Sequence, residues 1–192
     1  MLFNSFEFLV FLPIVFLLYW FAFKKLRAQN LFVVVASYLF YGWWDWRFLI
    51  LIAFTTLCSY ASGILLERQE GHRHIQRLIS IANIVLNLTI LGIFKYFNFF
   101  SENLQHLFQW FGFELDWVTL DILLPVGISF YTFQALSYTI DIYRHKMKPT
   151  HDIVAFFAFI SFFPQLVAGP IERATNLLPQ FERQRAFDYT AQ

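Results

Sequence analysis

Apolar residues in this chain gather into long runs, without the short period-two alternation of half-buried strands. A bilayer core is crossed by about 20 helical residues rising ~1.5 Å each. Runs at Phe8–Phe23, Leu31–Trp46, Phe48–Leu66, Leu78–Tyr96 and Ile122–Ile142 approach that length and predict five crossings. A sixth, from Ile153 to about Ala168, enters SFFPQLVAGPIERATNLLPQF (Ser161–Phe181), which breaks on Pro164, Gly169-Pro170 and Pro179. Between the fourth and fifth runs, Asn98–Asp121 is amphipathic, with Phe99, Phe100, Leu104, Leu107, Phe108, Trp110 and Phe111 among polar residues. It reads as an interfacial helix on the outer face. The expected fold is all-α: a polytopic transmembrane helical protein with a broken or re-entrant helix near its C-terminal end, forming a single membrane domain over residues 1–192.

Composition supports lipid as the solvent. The chain is 58% hydrophobic and 22% aromatic, with 27 Phe and only 14% charged residues, too little polar surface for a soluble domain of 192 residues. Basic residues follow the first apolar run, whereas in a signal peptide they precede it, so Phe8–Phe23 reads as a retained anchor. A net charge of +1 gives no reason to expect nucleic acid. The single cysteine, Cys58, excludes an internal disulfide and a cysteine-based metal site.

The connections alternate in charge. Lys24, Lys25 and Arg27 follow the first run, Arg68, Arg73 and Arg77 the third, and Arg144, Lys146 and Lys148 the fifth. The intervening connections carry Asp45, Glu102, Glu114, Asp116 and Asp121, with Arg47 and Lys95 as exceptions. Positive loops favour the cytoplasm, which puts the N-terminus outside and the basic connections inside a cytoplasmic (inner) membrane. A complete sixth crossing would leave Arg173, Arg183 and Arg185 outside, against that rule. Ile153–Phe181 is therefore read as turning back, with its basic tail on the cytoplasmic side; an ordinary kinked helix with an outside tail is the alternative.

Polar residues inside the runs recur at helical spacing. Ser80, Asn83 and Asn87 share one face of the fourth run, and Gln134, Ser137 and Asp141 one face of the fifth, beside Tyr138. In the third run Thr55, Ser59 and Ser62 read as helix-packing residues, with Ser59 and Gly63 in a small-xxx-small spacing. An intramembrane carboxylate such as Asp141 is expensive enough to suggest function, although pairing with Arg144 at the interface would also satisfy it. His72, His74, His106, His145 and His151 all lie in connections and read as solvated. No HExxH, phosphate-binding Gly-rich loop or dinucleotide fingerprint is present. Gly127-Ile128-Ser129 starts like a nucleophile elbow, but Tyr131 occupies the second glycine position. The sequon Asn87-Leu88-Thr89 lies mid-membrane, out of reach of glycosylation.

Two longer motifs go further. LPVGISFYTFQALSYTIDIYR (Leu124–Arg144) and FFPQLVAGPIERATNLLPQF (Phe162–Phe181) resemble the membrane-bound O-acyltransferase (MBOAT) family, in particular its alginate O-acetyltransferase branch. FNSFEFLVFLP (Phe3–Pro13) and SYLFYGWWDWRF (Ser37–Phe48) fit the same branch. The resemblance implies broken helices around a tunnel, with an acyl group passed from a cytoplasmic thioester donor to a hydroxyl acceptor. In this branch the acetyl group reaches an exported polysaccharide through an exported acetyltransferase partner protein. The implied donor is acetyl-CoA or a carrier-protein thioester, and no bound cofactor or metal is implied. Membrane lipid is the remaining partner.

Carried onto this sequence, the motifs make Ser129, Gln134, Asp141 and Arg144 candidates for the path and its cytoplasmic mouth. Gln165, Gly169, Pro170 and Arg173 are candidates for the re-entrant element, with Arg173 facing a phosphate-bearing donor. Helix breaking, capping and interfacial pairing are the structural alternatives for all eight. The family's catalytic histidine belongs to a later membrane segment, so none of the five histidines inherits that role. The chain is expected to be the N-terminal part of an acyltransferase, inactive alone. Peptidoglycan, teichoic-acid or lipid acylation stays open as an alternative within the family. A non-catalytic scaffold or a transporter is the alternative outside it, although a transporter would more often show paired repeats.

Overall fold

A computed structural model describes residues 5–43, 45–110, 127–169 and 172–185. Every regular element among them is helical. Helix α1 (Phe6–Leu17) is capped by Ser5, whose Oγ accepts from Phe8 N at 3.3 Å, and it continues through a π-helical turn at Leu18–Ala22. Pro13 lies inside α1 without ending it. Then follow α2 (Leu26–Gly42), α3 (Arg47–Arg68), α4 (Arg73–Trp110) and α5 (Ile128–Tyr143). The last three are short: α6 (Ile153–Ser161), α7 (Phe163–Ala168) and α8 (Ala174–Glu182).

Two of these helices, α3 and the Arg73–Tyr96 stretch of α4, are long and apolar enough to cross a membrane unaided. Phe6–Ala22 and Ile153–Leu166 are apolar but shorter, and α2 and α5 have 17 and 16 residues. In the core of a soluble protein such helices would be mostly buried, yet only 17% of the apolar window in Arg73–Tyr96 is covered. Leu39, Ile50, Leu78 and Val85 are all more than half exposed. The apolar surface faces outward and the polar residues face inward, as lipid requires.

One expected element is corrected. Among the described residues no separate interfacial helix follows the fourth run: residues up to Trp110 continue α4, which has 38 residues and at ~1.5 Å each spans nearly twice a ~30 Å bilayer core. Residues 111–121 of that connection lie outside the described residues.

The basic connections after α3 and α5 meet at one end. There Arg73 Nη1 lies 3.3 Å from His145 Nε2, with its guanidinium 5.3 Å from the Tyr143 ring centroid. His151 Nε2 pairs with Glu67 Oε2 at 2.9 Å, and Tyr60 OH donates to the His151 carbonyl at 2.9 Å. Two of the loop histidines are thus partnered rather than simply solvated.

The core lies where α5 and α6 meet α2 and α3. Tyr131, Tyr138, Phe156 and Phe159 are fully enclosed, with the Tyr138 and Phe156 centroids 4.5 Å apart. Gly63 makes room for this packing: a Cβ there would fall 2.6 Å from the Tyr138 hydroxyl. The small-xxx-small spacing of α3 therefore serves close helix approach, as its composition suggests.

Candidate functional site

In lipid, apolar helices gain little by burying apolar faces against one another, so packing and interhelical hydrogen bonds carry more of the association. The contact of α3, α4 and α5 is correspondingly polar. Asn83 Nδ2 donates to Thr139 Oγ1 at 2.6 Å, and Thr139 Oγ1 donates back to the Ala135 carbonyl at 3.2 Å. Ser59 Oγ donates to Asn83 Oδ1 at 3.4 Å, while Asn87 Nδ2 reaches Asn83 O at 2.9 Å and Asn83 Oδ1 at 3.1 Å. The shared face of Asn83 and Asn87, read from spacing, is the face that meets α5. Ser80 lies on it too, buried, with its hydroxyl unpaired.

The second turn of α5 is different. Gln134 is 1% exposed, and neither atom of its carboxamide meets a protein partner. The Thr132 and Tyr131 hydroxyls are also enclosed and unpaired. An enclosed polar group costs on the order of 1–3 kcal/mol when unsatisfied. Tyr131 and Gln134, three residues apart, share one face of α5, whereas Thr132, two residues from Gln134, lies on another. Tyr131 and Thr132 are not among the candidates read from sequence; their only advance signal is nearness to Gln134 in α5.

The broken segment abuts this region. After Ser161 the chain leaves helix at Phe162 (φ −55°, ψ 99°) and re-enters it at Phe163, with Pro164 in the first turn of α7. Ser37 Oγ of α2 accepts from the exposed-by-breakage Phe163 N at 3.3 Å, so the interruption leaves that amide satisfied inside the protein. Gly127 opens α5 with φ +78°, and a Cβ there would sit 3.2 Å from the Leu166 carbonyl. At the far end of α7, Gly169 is extended, and a Cβ would lie 2.8 Å from Gln165 Cα. Ser137 Oγ donates to the Gln134 carbonyl at 2.9 Å and accepts from Ala174 N at 3.3 Å. The two motifs are thereby in direct contact, at Gly127 with Leu166 and at Ser137 with Ala174.

The other candidates fall as follows. Ser129 is half-buried in the first turn of α5, and Gln165 is buried in α7. Arg173 is exposed as the residue capping the start of α8. Pro170 lies outside the described residues. Asp141 is 6% exposed and forms no ion pair with Arg144, correcting the expected pairing: Arg144 caps the end of α5 and projects into solvent at the basic end. Pro179 does not break the chain either, since α8 runs past it to Glu182.

The segment does turn back. From Ser137, midway along α5, α8 descends to Phe181, whose carbonyl accepts from Asn30 Nδ2 of α2 at 2.7 Å. Asn30 belongs to the first turns of α2, next to Lys24, Lys25 and Arg27, so Arg183 and Arg185 return to the basic end. Among the described residues no group of three His, Cys, Asp or Glu side chains could hold a metal ion.

This is a helical membrane protein with a helix that breaks and returns beside the enclosed polar residues of α5. By sequence it stands among homologues of the alginate O-acetylases. It is 40% identical over 185 residues to a probable alginate O-acetylase AlgI of Pseudomonas aeruginosa, a match covering 96% of this chain and 35% of that protein. The corresponding protein of Azotobacter vinelandii is 40% identical over 186 residues, covering 96% of this chain and 36% of that one. A peptidoglycan O-acetyltransferase of Helicobacter pylori is 31% identical over 212 residues, covering 95% and 39% respectively. The chain thus spans little more than a third of the length of these relatives. No family model matches it, and no solved structure matches it.

Proposed function

We propose that this chain is the N-terminal part of a membrane-bound O-acetyltransferase that modifies hydroxyls of an exported polysaccharide. The observation that carries the reading is the 40% identity to an alginate O-acetylase across 96% of the chain. The basic end faces the cytoplasm, where a thioester donor such as acetyl-CoA or an acylated carrier protein would bring an anionic phosphate. Arg144, exposed at that end, supplies positive charge for it, while Arg173 at the start of α8 lies nearer the middle of α5. The enclosed Gln134 carboxamide, with the Tyr131 hydroxyl one turn before it, lines a polar path for the acetyl group beside the returning helix. An exported acetyltransferase partner would receive the group on the far side. The broken helix fits this role because the Phe163 amide freed at the break is satisfied within the protein, by Ser37.

A second reading, peptidoglycan as the acceptor, is favoured by the 31% identity to the Helicobacter pylori enzyme. Deleting the encoding gene and measuring ester-linked acetate on exported polysaccharide and on peptidoglycan separates the two. Loss from the exported polymer supports the first reading, loss from peptidoglycan the second, and no loss from either removes both.

A further inference from the structure

Between α1, α2 and α8 lies a cavity of about 290 Å³. Its walls are apolar, from Leu12 and Phe16 of α1, Val33 of α2, Phe163 of α7 and Leu177 of α8. It has roughly twice the ~150 Å³ of an apolar cavity that stays dry and takes one benzene. An alkyl chain fits such a space; a polar metabolite does not. None of the α1 residues is buried, so the cavity is walled on one side by a helix that itself faces lipid.

One end of the cavity is built differently. The Arg185 guanidinium lies there, donating to the Tyr19 hydroxyl, to Asn30 Oδ1 and, from Nε at 3.0 Å, to the Gln180 carbonyl. It also lies 5.6 Å from the Tyr19 ring centroid and 4.9 Å from that of Phe181. All these partners are neutral. Among the described residues no carboxylate lies within ion-pairing distance of Arg185. Asn30, fully buried, holds the guanidinium while its Nδ2 is engaged by Phe181 O. The cation is therefore fixed in place, partly shielded from water and, among the described residues, without a counter-charge, at the mouth of an apolar slot. A half-buried charge of this kind favours an anion beside it.

We propose that this cavity binds one acyl chain of an anionic membrane phospholipid, with the lipid phosphate against Arg185. The charge selects the anionic headgroup, and the apolar walls select the chain. Position fits as well: Arg185 lies at the basic end, next to Lys24, Lys25 and Arg27, where headgroups would meet the helices. The bound lipid would fasten α1 and the returning α8 to one another.

The test uses the full-length protein, extracted in mild detergent and examined by native mass spectrometry with added phosphatidylglycerol or phosphatidylethanolamine. Wild type should retain phosphatidylglycerol at least tenfold more than phosphatidylethanolamine. Arg185→Gln, which keeps amide donors for Tyr19 and Asn30, should abolish that preference, while Arg185→Lys should keep most of it. Leu12→Trp, which fills the slot from an exposed helix and leaves the Arg185 cluster alone, should lower retention of both lipids. Equal retention of the two lipids by wild type, or undiminished phosphatidylglycerol binding by both Arg185→Gln and Leu12→Trp, would overturn the proposal. So would retention of a fatty-acid carboxylate in place of phospholipid.

Discussion

Asn30 and Phe181 are 151 positions apart, yet Asn30 Nδ2 donates to the Phe181 carbonyl at 2.7 Å in the protein interior. That bond fixes the returning helix against the start of α2. It also satisfies a carbonyl in the last turn of α8, which has no partner within its own helix.

Asn30→Ala should therefore loosen the end of the chain. A buried carbonyl left unpaired costs roughly 1–3 kcal/mol, and Arg185 would lose a ligand at the same time. The expected result is a lower unfolding temperature in detergent, with faster proteolytic cleavage between Arg183 and Arg185. Unchanged cleavage would mean that α8 is held by packing alone.

The return of the chain can be read by labelling. In a variant with Cys58 replaced by Ala, cysteines introduced at Lys146 and Arg183 should react with an impermeant maleimide from the same side of the membrane. One at Asp45 should react from the opposite side. Opposite labelling of positions 146 and 183 would mean that the sixth apolar segment crosses.

Glycines give a paired comparison on two neighbouring helices. Gly63→Ala places a Cβ 2.6 Å from the hydroxyl of the enclosed Tyr138, which is also held by Thr150 N at 3.3 Å, so the ring has little room to yield. Overpacking of this kind costs about 1–3 kcal/mol. Gly92 in α4 has nothing within 4 Å of the same construction, so Gly92→Ala should stabilise by up to ~1 kcal/mol through helix propensity. Thermal unfolding in detergent should move in opposite directions for the two variants.

The Asn83–Thr139 contact is open to a double-mutant cycle with Asn83→Leu and Thr139→Val. Interhelical hydrogen bonds in membrane proteins average ~0.6 kcal/mol and reach ~1.7. At 2.6 Å between enclosed groups, this one should fall in the upper half of that range. A coupling near zero would reduce the polar face of α4 to incidental packing.

Gln134 carries the strongest expectation about activity. Gln134→Leu in the full-length protein removes an enclosed carboxamide that has no protein partner. It should leave membrane abundance and unfolding temperature nearly unchanged while lowering polymer acetylation at least tenfold. Retained acetylation would exclude Gln134 from the path.

Much of this arrangement could be read along the chain because its causes are local. Helical spacing alone put Asn83 and Asn87 on one face, since the 3.6-residue period is a property of the backbone. Pro164 marked the break, since proline lacks the amide that a continuing helix needs. The basic residues after alternate runs marked the end at which three connections meet. What misled was also local: an amphipathic stretch after Tyr96 suggested a new element, but no Gly or Pro interrupts the chain there and α4 runs on to Trp110.

Other features depend on pairs distant in sequence, and no pattern along the chain encodes their meeting. Gly63 is small because Tyr138 of another helix lies over it, and Asn30 is polar because Phe181 and Arg185 return to it. Asp141 stands one turn before Arg144, a spacing that permits an ion pair, yet the end of α5 turns the guanidinium outward and the carboxylate inward. The sequence by itself determined the solvent, the helices and the break, which follow from apolar run length and backbone chemistry. Only the tertiary structure decided which polar groups found partners, as Asn30 and Arg185 did, and which, like the Gln134 carboxamide, did not, because satisfaction depends on where separate helices place their atoms.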